Sequence, residues 1–354
     1  MGQTAKFLPA LNALRGLAAF MVVLFHAKRL LAPDASLPFV LRPLERGYLW
    51  VDLFFVLSGY VMVHVYGAWF SKSVEKQYVR MYWQNRLARI YPLHLLTLFI
   101  LVGYALIRQW MQHPVQAPEF QYAALPTNLL LIQSWGIHTH LTWNAPAWSI
   151  SSEWAMYLLF PWLMLRSSRS PLIQFRLLIT IPIIIYVLVE AMNPLHNLDA
   201  TFDWGILRAL AGFLFGVMLY EVHTQRVWAS VWARKEAPFV VLTGLLLSFY
   251  FAPSDVAIVL FWPMVIWMLL YQQGWLERLL NTKPLQYLGD ISYSVYMLHY
   301  PLLILMATFL PQTAPLTYRL GAVSSFMVAT LLLSALSYHL FEMPLRHRFK
   351  AKPV

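Results

Sequence analysis

Residues 11–26 read LNALRGLAAFMVVLFH, an apolar run with an arginine, Arg15, near one end and a histidine, His26, at the other. On an α-helix at about 100° per residue, eleven residues make three turns plus about 20°, so both polar groups fall on one face. At ~1.5 Å per residue they stand roughly 16 Å apart along the axis. An ionisable side chain inside a bilayer costs at least about 2.5 kcal/mol, so such residues usually face a protein interior or a water-filled cavity. A helix with a fixed cation at one level and a titratable ring at another suggests a path across part of a membrane. Two interfacial residues, with Arg15 snorkelling, would be the simpler alternative.

The rest of the chain fits a membrane setting. Of 354 residues 60% are hydrophobic and 12% charged, about half the charged fraction of a soluble domain. Fifteen tryptophans and nineteen tyrosines suit the aromatic belts of bilayer interfaces. Cysteine is absent, which excludes disulfides, zinc–thiolate sites, iron–sulfur clusters and a cysteine nucleophile. Arg15 interrupts the first apolar run and no A-x-A site follows cleanly, so the first helix is expected to stay as an anchor.

About ten apolar spans can be read: 8–28, 48–70, 92–111, 146–165, 177–193, 205–222, 238–252, 256–272, 292–310 and 319–341. Several fall short of the ~20 residues a perpendicular span needs. The expected fold is all-α and polytopic, one transmembrane domain over residues 1–354. Lys and Arg assign the sides. With Lys6 in the cytoplasm, the connections on that side hold Lys72, Lys76, Arg80, Arg86 and Arg89; Arg166, Arg169 and Arg176; Arg226, Arg234 and Lys235; and Arg278 and Lys283. The tail adds Arg346, Arg348, Lys350 and Lys352. The opposite segments 112–145, 194–204, 253–255 and 311–318 hold neither Lys nor Arg, whereas the first outer loop carries Lys28, Arg29, Arg42 and Arg46. Both termini are therefore expected in the cytoplasm. The net charge of +11 reads as a topology signal, with no nucleic-acid partner.

Three further constellations carry candidate chemistry. Ser149 and Glu153 in WSISSE are four apart and share a face at the start of the fourth span. Glu153 is expected at the depth of His26, where a carboxylate would orient the ring and raise its basicity; a Glu satisfied by nearby hydroxyls is the alternative. Asp52 in VDLFFVLSGY opens the second span and needs a partner, with Arg42, Arg46 or His26 in reach. An ion pair and a catalytic role are both open for it. Arg86 and Arg89 in RLARIYP lie on neighbouring faces of one helical turn, and guanidinium groups suit bidentate phosphate binding; ordinary positive-inside charge is the alternative. Other histidines (His64, His94, His113, His138, His140, His223, His339) form no metal-ligand spacing.

These segments, in this order, resemble the acyltransferase 3 family, polytopic membrane proteins that acylate sugars and other small acceptors. LRGLAAxxVVxxH is similar to its first helix, with a basic residue, ten residues, then histidine. VDLFFVLSG, RLAR, the S-x-x-x-E of Ser149 and Glu153, LGDISYSVYMLH at 288–299 and the FEMP at 341–344 are similar to family motifs. Asn12-Ala13 departs from the Asp-Gly of many relatives, so a carboxylate role there is absent. No appended hydrolase-like domain is expected, and the membrane part is expected to deliver the acyl group alone.

The resemblance implies a bacterial inner-membrane O-acyltransferase. A cytoplasmic acyl-CoA, usually acetyl-CoA, would be the donor, a carbohydrate or lipid-linked glycan hydroxyl the acceptor, and no cofactor tightly bound. His26, Glu153, Ser149 and Asp52 are the catalytic candidates, and Arg15, Arg86 and Arg89 the donor-binding ones. His26 would be the general base, with an acyl-histidine intermediate as the alternative. A transporter of an acidic solute or lipid-linked sugar is the competing function. It would be favoured by inverted repeats, and none is visible.

Overall fold

A computed structural model describes residues 7–31, 38–115, 117–165, 171–311 and 313–351. Of the basic residues that mark the sides, Lys6, Arg166, Arg169 and Lys352 lie outside this range, as does the side chain of Arg176. The described chain is helical and contains no strand. Its main helices are α1 (Pro9–Leu31), α2 (Trp50–Phe70), α3 (Lys76–Trp110), α4 (Ala147–Leu163), α5 (Pro171–Met192), α6 (Gly205–Thr224), α7 (Ala237–Phe251), α8 (Phe261–Tyr271), α9 (Lys283–Asp290), α10 (Ser292–Phe309), α11 (Leu316–Ser337) and α12 (Met343–Phe349).

Five stretches among the described residues are long and apolar enough to cross a membrane: Pro9–Leu31, Phe39–Phe70, Lys76–Trp110, Gly205–Thr224 and Leu316–Phe349. The pair α9 and α10, bent by 65°, makes a sixth if counted as one broken span. Ile179–Met192, Ala237–Phe251 and Asp255–Tyr271 are apolar but shorter. The protein is thus a multi-pass, all-α membrane protein. One expectation changes. The stretch 76–91, placed in the connection ahead of the span 92–111, is the first part of the 35-residue α3. Proline removes a single backbone donor, and neighbouring helices compensate within a bundle, so Pro92 does not end the helix. Arg86 and Arg89 consequently sit on a rigid rod inside the bundle.

Small residues set the close helix crossings, as expected where no hydrophobic drive distinguishes helix from lipid. Gly59 of α2 and Gly212 and Gly216 of α6 let those backbones touch; a Cβ on Gly59 would strike the Phe213 carbonyl. Gly16 of α1 meets the backbone of Gly289, where a Cβ would lie 2.6 Å from the Gly289 nitrogen. Apolar side chains on the outer faces of α7 (Val240, Leu246, Leu247) and α11 (Leu332, Leu333, Leu336) stay exposed, as lipid-facing surfaces should be.

The register of α1 against α9 and α10 positions the site. Asn12 hydrogen-bonds Gln286 and Asp290, Arg15 meets Gly289 and Ser292, and His26 meets His299. Contacts rise together along both chains, so α1 and α10 run parallel. At the bend between α9 and α10, Arg15 donates to the Gly289 carbonyl at 2.8 Å.

Candidate active site

Arg15, Arg86, Arg89, Ser149 and Glu153, from α1, α3 and α4, line one cavity of about 140 Å³. The bend adds Ser292, Tyr293 and Tyr296, and Phe54, Leu57, Val61, Met62, Ile90 and Ile150 supply apolar wall. Five of the seven sequence-derived candidates are therefore neighbours. Their convergence follows from local geometry. Ser149 and Glu153 share a face one turn apart, and Arg86 and Arg89 are displaced by one turn on α3.

The three arginines differ in their partners. Arg89 forms an ion pair with Glu342, lies over the Tyr293 ring at 5.1 Å, and shares Glu342 with Ser294, whose hydroxyl donates at 2.7 Å. Glu342 sits in a short π-helical turn, Tyr338–Glu342, a local widening that often marks functional positions. Arg86 donates to the Tyr66 hydroxyl at 2.9 Å and lies over the Tyr66 and Tyr157 rings at 5.0 and 5.7 Å. Its Nε is buried without a hydrogen-bond partner among the described residues. Arg15 donates to Ser292 Oγ (2.9 Å), Asn12 Oδ1 (2.9 Å) and the Gly289 carbonyl, all neutral acceptors. Among the described residues no carboxylate lies within ion-pair distance of Arg15 or Arg86. With Asn at position 12, Arg15 lacks the adjacent carboxylate that an Asp would provide. Glu153 accepts from Tyr157 (2.6 Å). Two cations without a carboxylate partner, at a polar and apolar hollow, make a site suited to an anion attached to an organic chain.

His26 and Asp52 lie elsewhere. His26 is beyond Tyr296, which lines the cavity and whose ring is 5.9 Å from that of His299. His299 in turn contacts His26, with Nε2 3.2 Å from His26 Nδ1. The hydrogen-bond partners of His26 among the described residues are thus His299 and the Val22 carbonyl (3.0 Å), and Glu153, expected to orient it, is bonded to Tyr157. Glu153 lines the arginine-bearing hollow, and among the described residues no hydrogen bond joins it to His26.

Asp52 is fully buried and held by Arg208 of α6, through contacts of 3.0 and 3.2 Å from Nε and 2.6 Å from Nη2. Tyr186 donates to it at 3.1 Å. Its partner is therefore neither Arg42, Arg46 nor His26; Arg46 reaches the Ala252 carbonyl and Asp255. The helices α2 and α6 cross closely at their glycines, which places Arg208 opposite Asp52. Sequence reasoning missed Arg208. Its signal was an arginine set inside the apolar run 205–222, and such a residue requires a buried partner.

A family model described as an acyltransferase domain, that of the acyltransferase 3 family, matches residues 8–339. The acyltransferase MdmB of Streptomyces mycarofaciens is 35% identical over 158 residues, covering 44% of this chain and 38% of that protein. The peptidoglycan O-acetyltransferase OatA of Listeria monocytogenes is 22% identical over 368 residues, 96% of this chain and 56% of that protein. The O-acetyltransferase OatA of Staphylococcus aureus is 23% identical over 382 residues, 98% and 58% respectively. The chain spans about half the length of the curated relatives it matches. No solved structure matches it.

Proposed function

The chain belongs to the acyltransferase 3 family, and on that footing we propose that it is a membrane O-acyltransferase using acyl-CoA, with acetyl-CoA the leading donor. The acceptor is a hydroxyl of a carbohydrate or lipid-linked glycan at the outer side of a bacterial inner membrane. Both termini face the cytoplasm, as the basic residues suggest. The observation that carries the reading is the cavity in which Arg15, Arg86 and Arg89 converge. CoA is an anion on a long arm. Its phosphates suit guanidinium donors, and its pantetheine amides suit a wall that includes Ser149 and Glu153. The acetyl O-transfer named for two of the relatives agrees with that donor, and the peptidoglycan named for one makes a glycan acceptor the natural class.

In this reading the arginines hold the nucleotide end, and the thioester extends past Tyr296 toward His26. His26 takes the proton of the acceptor hydroxyl as its oxygen bonds to the thioester carbon. The tetrahedral intermediate then expels the CoA thiolate, which recovers that proton from the imidazolium. Asp52 has a scaffolding part, tying α2 to α6 beside the site.

The test is mass spectrometry of surface glycans from cells with the gene, without it, and with His26→Ala in its place. The reading predicts an acyl mass that is present only with the wild-type gene. Identical glycan profiles in all three strains would overturn the carbohydrate acceptor. An unchanged profile in the His26→Ala strain alone would overturn the assigned base. Sidedness is checked by introducing single cysteines into this cysteine-free chain: Thr139→Cys should label from outside, Ser73→Cys from the cytoplasm. The reverse pattern overturns the orientation.

A further inference from the structure

The hydrogen bonds of the His26 and His299 rings fix where their protons sit. A carbonyl oxygen only accepts, so a neutral ring nitrogen bonded to one carries the hydrogen. Nδ1 of His299 lies 3.2 Å from the Val295 carbonyl, one turn back on α10. It is therefore protonated, and Nε2 of His299 is bare. That bare nitrogen lies 3.2 Å from Nδ1 of His26, which is also 3.0 Å from the Val22 carbonyl. Both neighbours of His26 Nδ1 are acceptors, so Nδ1 carries the hydrogen and shares it between them. The remaining nitrogen, Nε2 of His26, keeps its lone pair.

We infer that His299 is a positioning residue for acyl transfer, holding His26 in the Nδ1–H form with Nε2 as the proton-accepting atom. The inference rests on the reading of His26 as the base. When Nε2 takes the hydroxyl proton, the ring becomes an imidazolium and its Nδ1–H a stronger donor. The bare Nε2 of His299 accepts from it, and no proton need cross between the rings. His299 is fully buried, so water cannot substitute for it. The device resembles the carboxylate behind a catalytic histidine, built with a neutral acceptor, which spares an apolar site a second buried charge.

The substitutions separate this role from simple packing. Glutamine is long enough to place an amide oxygen near the position of Nε2; asparagine reaches only as far as Nδ1 and can satisfy Val295 but not His26. With reconstituted protein, acetyl-CoA as donor and a soluble N-acetylglucosamine oligomer as acceptor, release of the CoA thiol is read directly, because the protein has no cysteine. His299→Leu and His299→Asn should lower kcat by about 10–100-fold, the range for loss of the partner that orients a metal-ligating histidine. Acetyl-CoA affinity should hold, and His299→Gln should retain most of the rate. Wild-type turnover by His299→Leu beside an inactive His26→Ala would overturn the assignment alone. Equal rates for the Asn and Gln proteins would overturn it too, and that pair decides the matter if the Leu protein does not fold. Wild-type turnover by His26→Ala would overturn the base, and the role of His299 with it.

Discussion

Replacing Asp52 with alanine should damage the fold before it damages the chemistry. Asp52 and Arg208 both have fully buried side chains. The carboxylate accepts three guanidinium contacts and the Tyr186 hydroxyl. Arg208 also donates to the Tyr48 and Ala200 carbonyls and lies over the Trp148 and Tyr48 rings at 5.2 and 5.8 Å. Removing the carboxylate leaves a guanidinium in the bundle with two carbonyls and two rings to offset it. Breaking one side of a buried ion pair typically costs about 3–5 kcal/mol. At 1.4 kcal/mol per decade that is a roughly 10²–10⁴-fold loss in the folded population. Replacing both partners at once, as Asp52→Leu with Arg208→Met, removes the stranded charge and should recover much of the loss. The assay is the temperature of half-aggregation in detergent for the two single variants and the double variant, beside acyl-transfer rate per folded molecule. An Asp52→Ala protein as heat-resistant as wild type but inactive would refute the reasoning and restore Asp52 as a catalytic group.

Other outcomes follow from the same geometry. Arg86→Ala should weaken acetyl-CoA binding by about 1.5–3 kcal/mol, the worth of a charge-assisted contact, and with little loss of heat resistance. The loss should shrink for a truncated thioester without the nucleotide; equal losses for both donors would remove phosphate binding from its role. Arg89→Ala should lower heat resistance as well as binding, because it strands Glu342, and Glu342→Gln should cost less than Arg89→Ala. Gly59→Val should prevent accumulation of folded protein, since the added side chain meets the backbone of α6; normal expression of that variant would contradict the close crossing.

The helical, membrane-embedded class could be read from apolar runs because a bilayer enforces it: every backbone polar group must be paired internally. The expected apolar runs lie on helices, five or six of which are long and apolar enough to cross a membrane among the described residues. The start of α3 was missed because a proline and two arginines look like a boundary in one dimension, and only the neighbouring helices make Pro92 tolerable. At the site, one-turn spacing was enough to place Ser149 with Glu153, since helical faces are local geometry. Pairings between distant helices were not legible. Asp52 with Arg208 and Arg89 with Glu342 depend on which helices cross, and the glycines that decide the crossings have no side chain to signal a partner. Likewise His26 and His299 meet because α1 and α10 run parallel in register, a fact held by the contacts of Asn12 and Arg15 rather than by either histidine.

In the proposed function the arginine-lined cavity holds the donor while His26 acts on it from beyond Tyr296. Calorimetric titration of acetyl-CoA into reconstituted protein tests it most directly, with wild type, Arg86→Ala and His26→Ala compared. Wild type should bind saturably, His26→Ala with similar strength, and Arg86→Ala markedly more weakly. Undiminished binding to Arg86→Ala, or no binding to wild type, would contradict it.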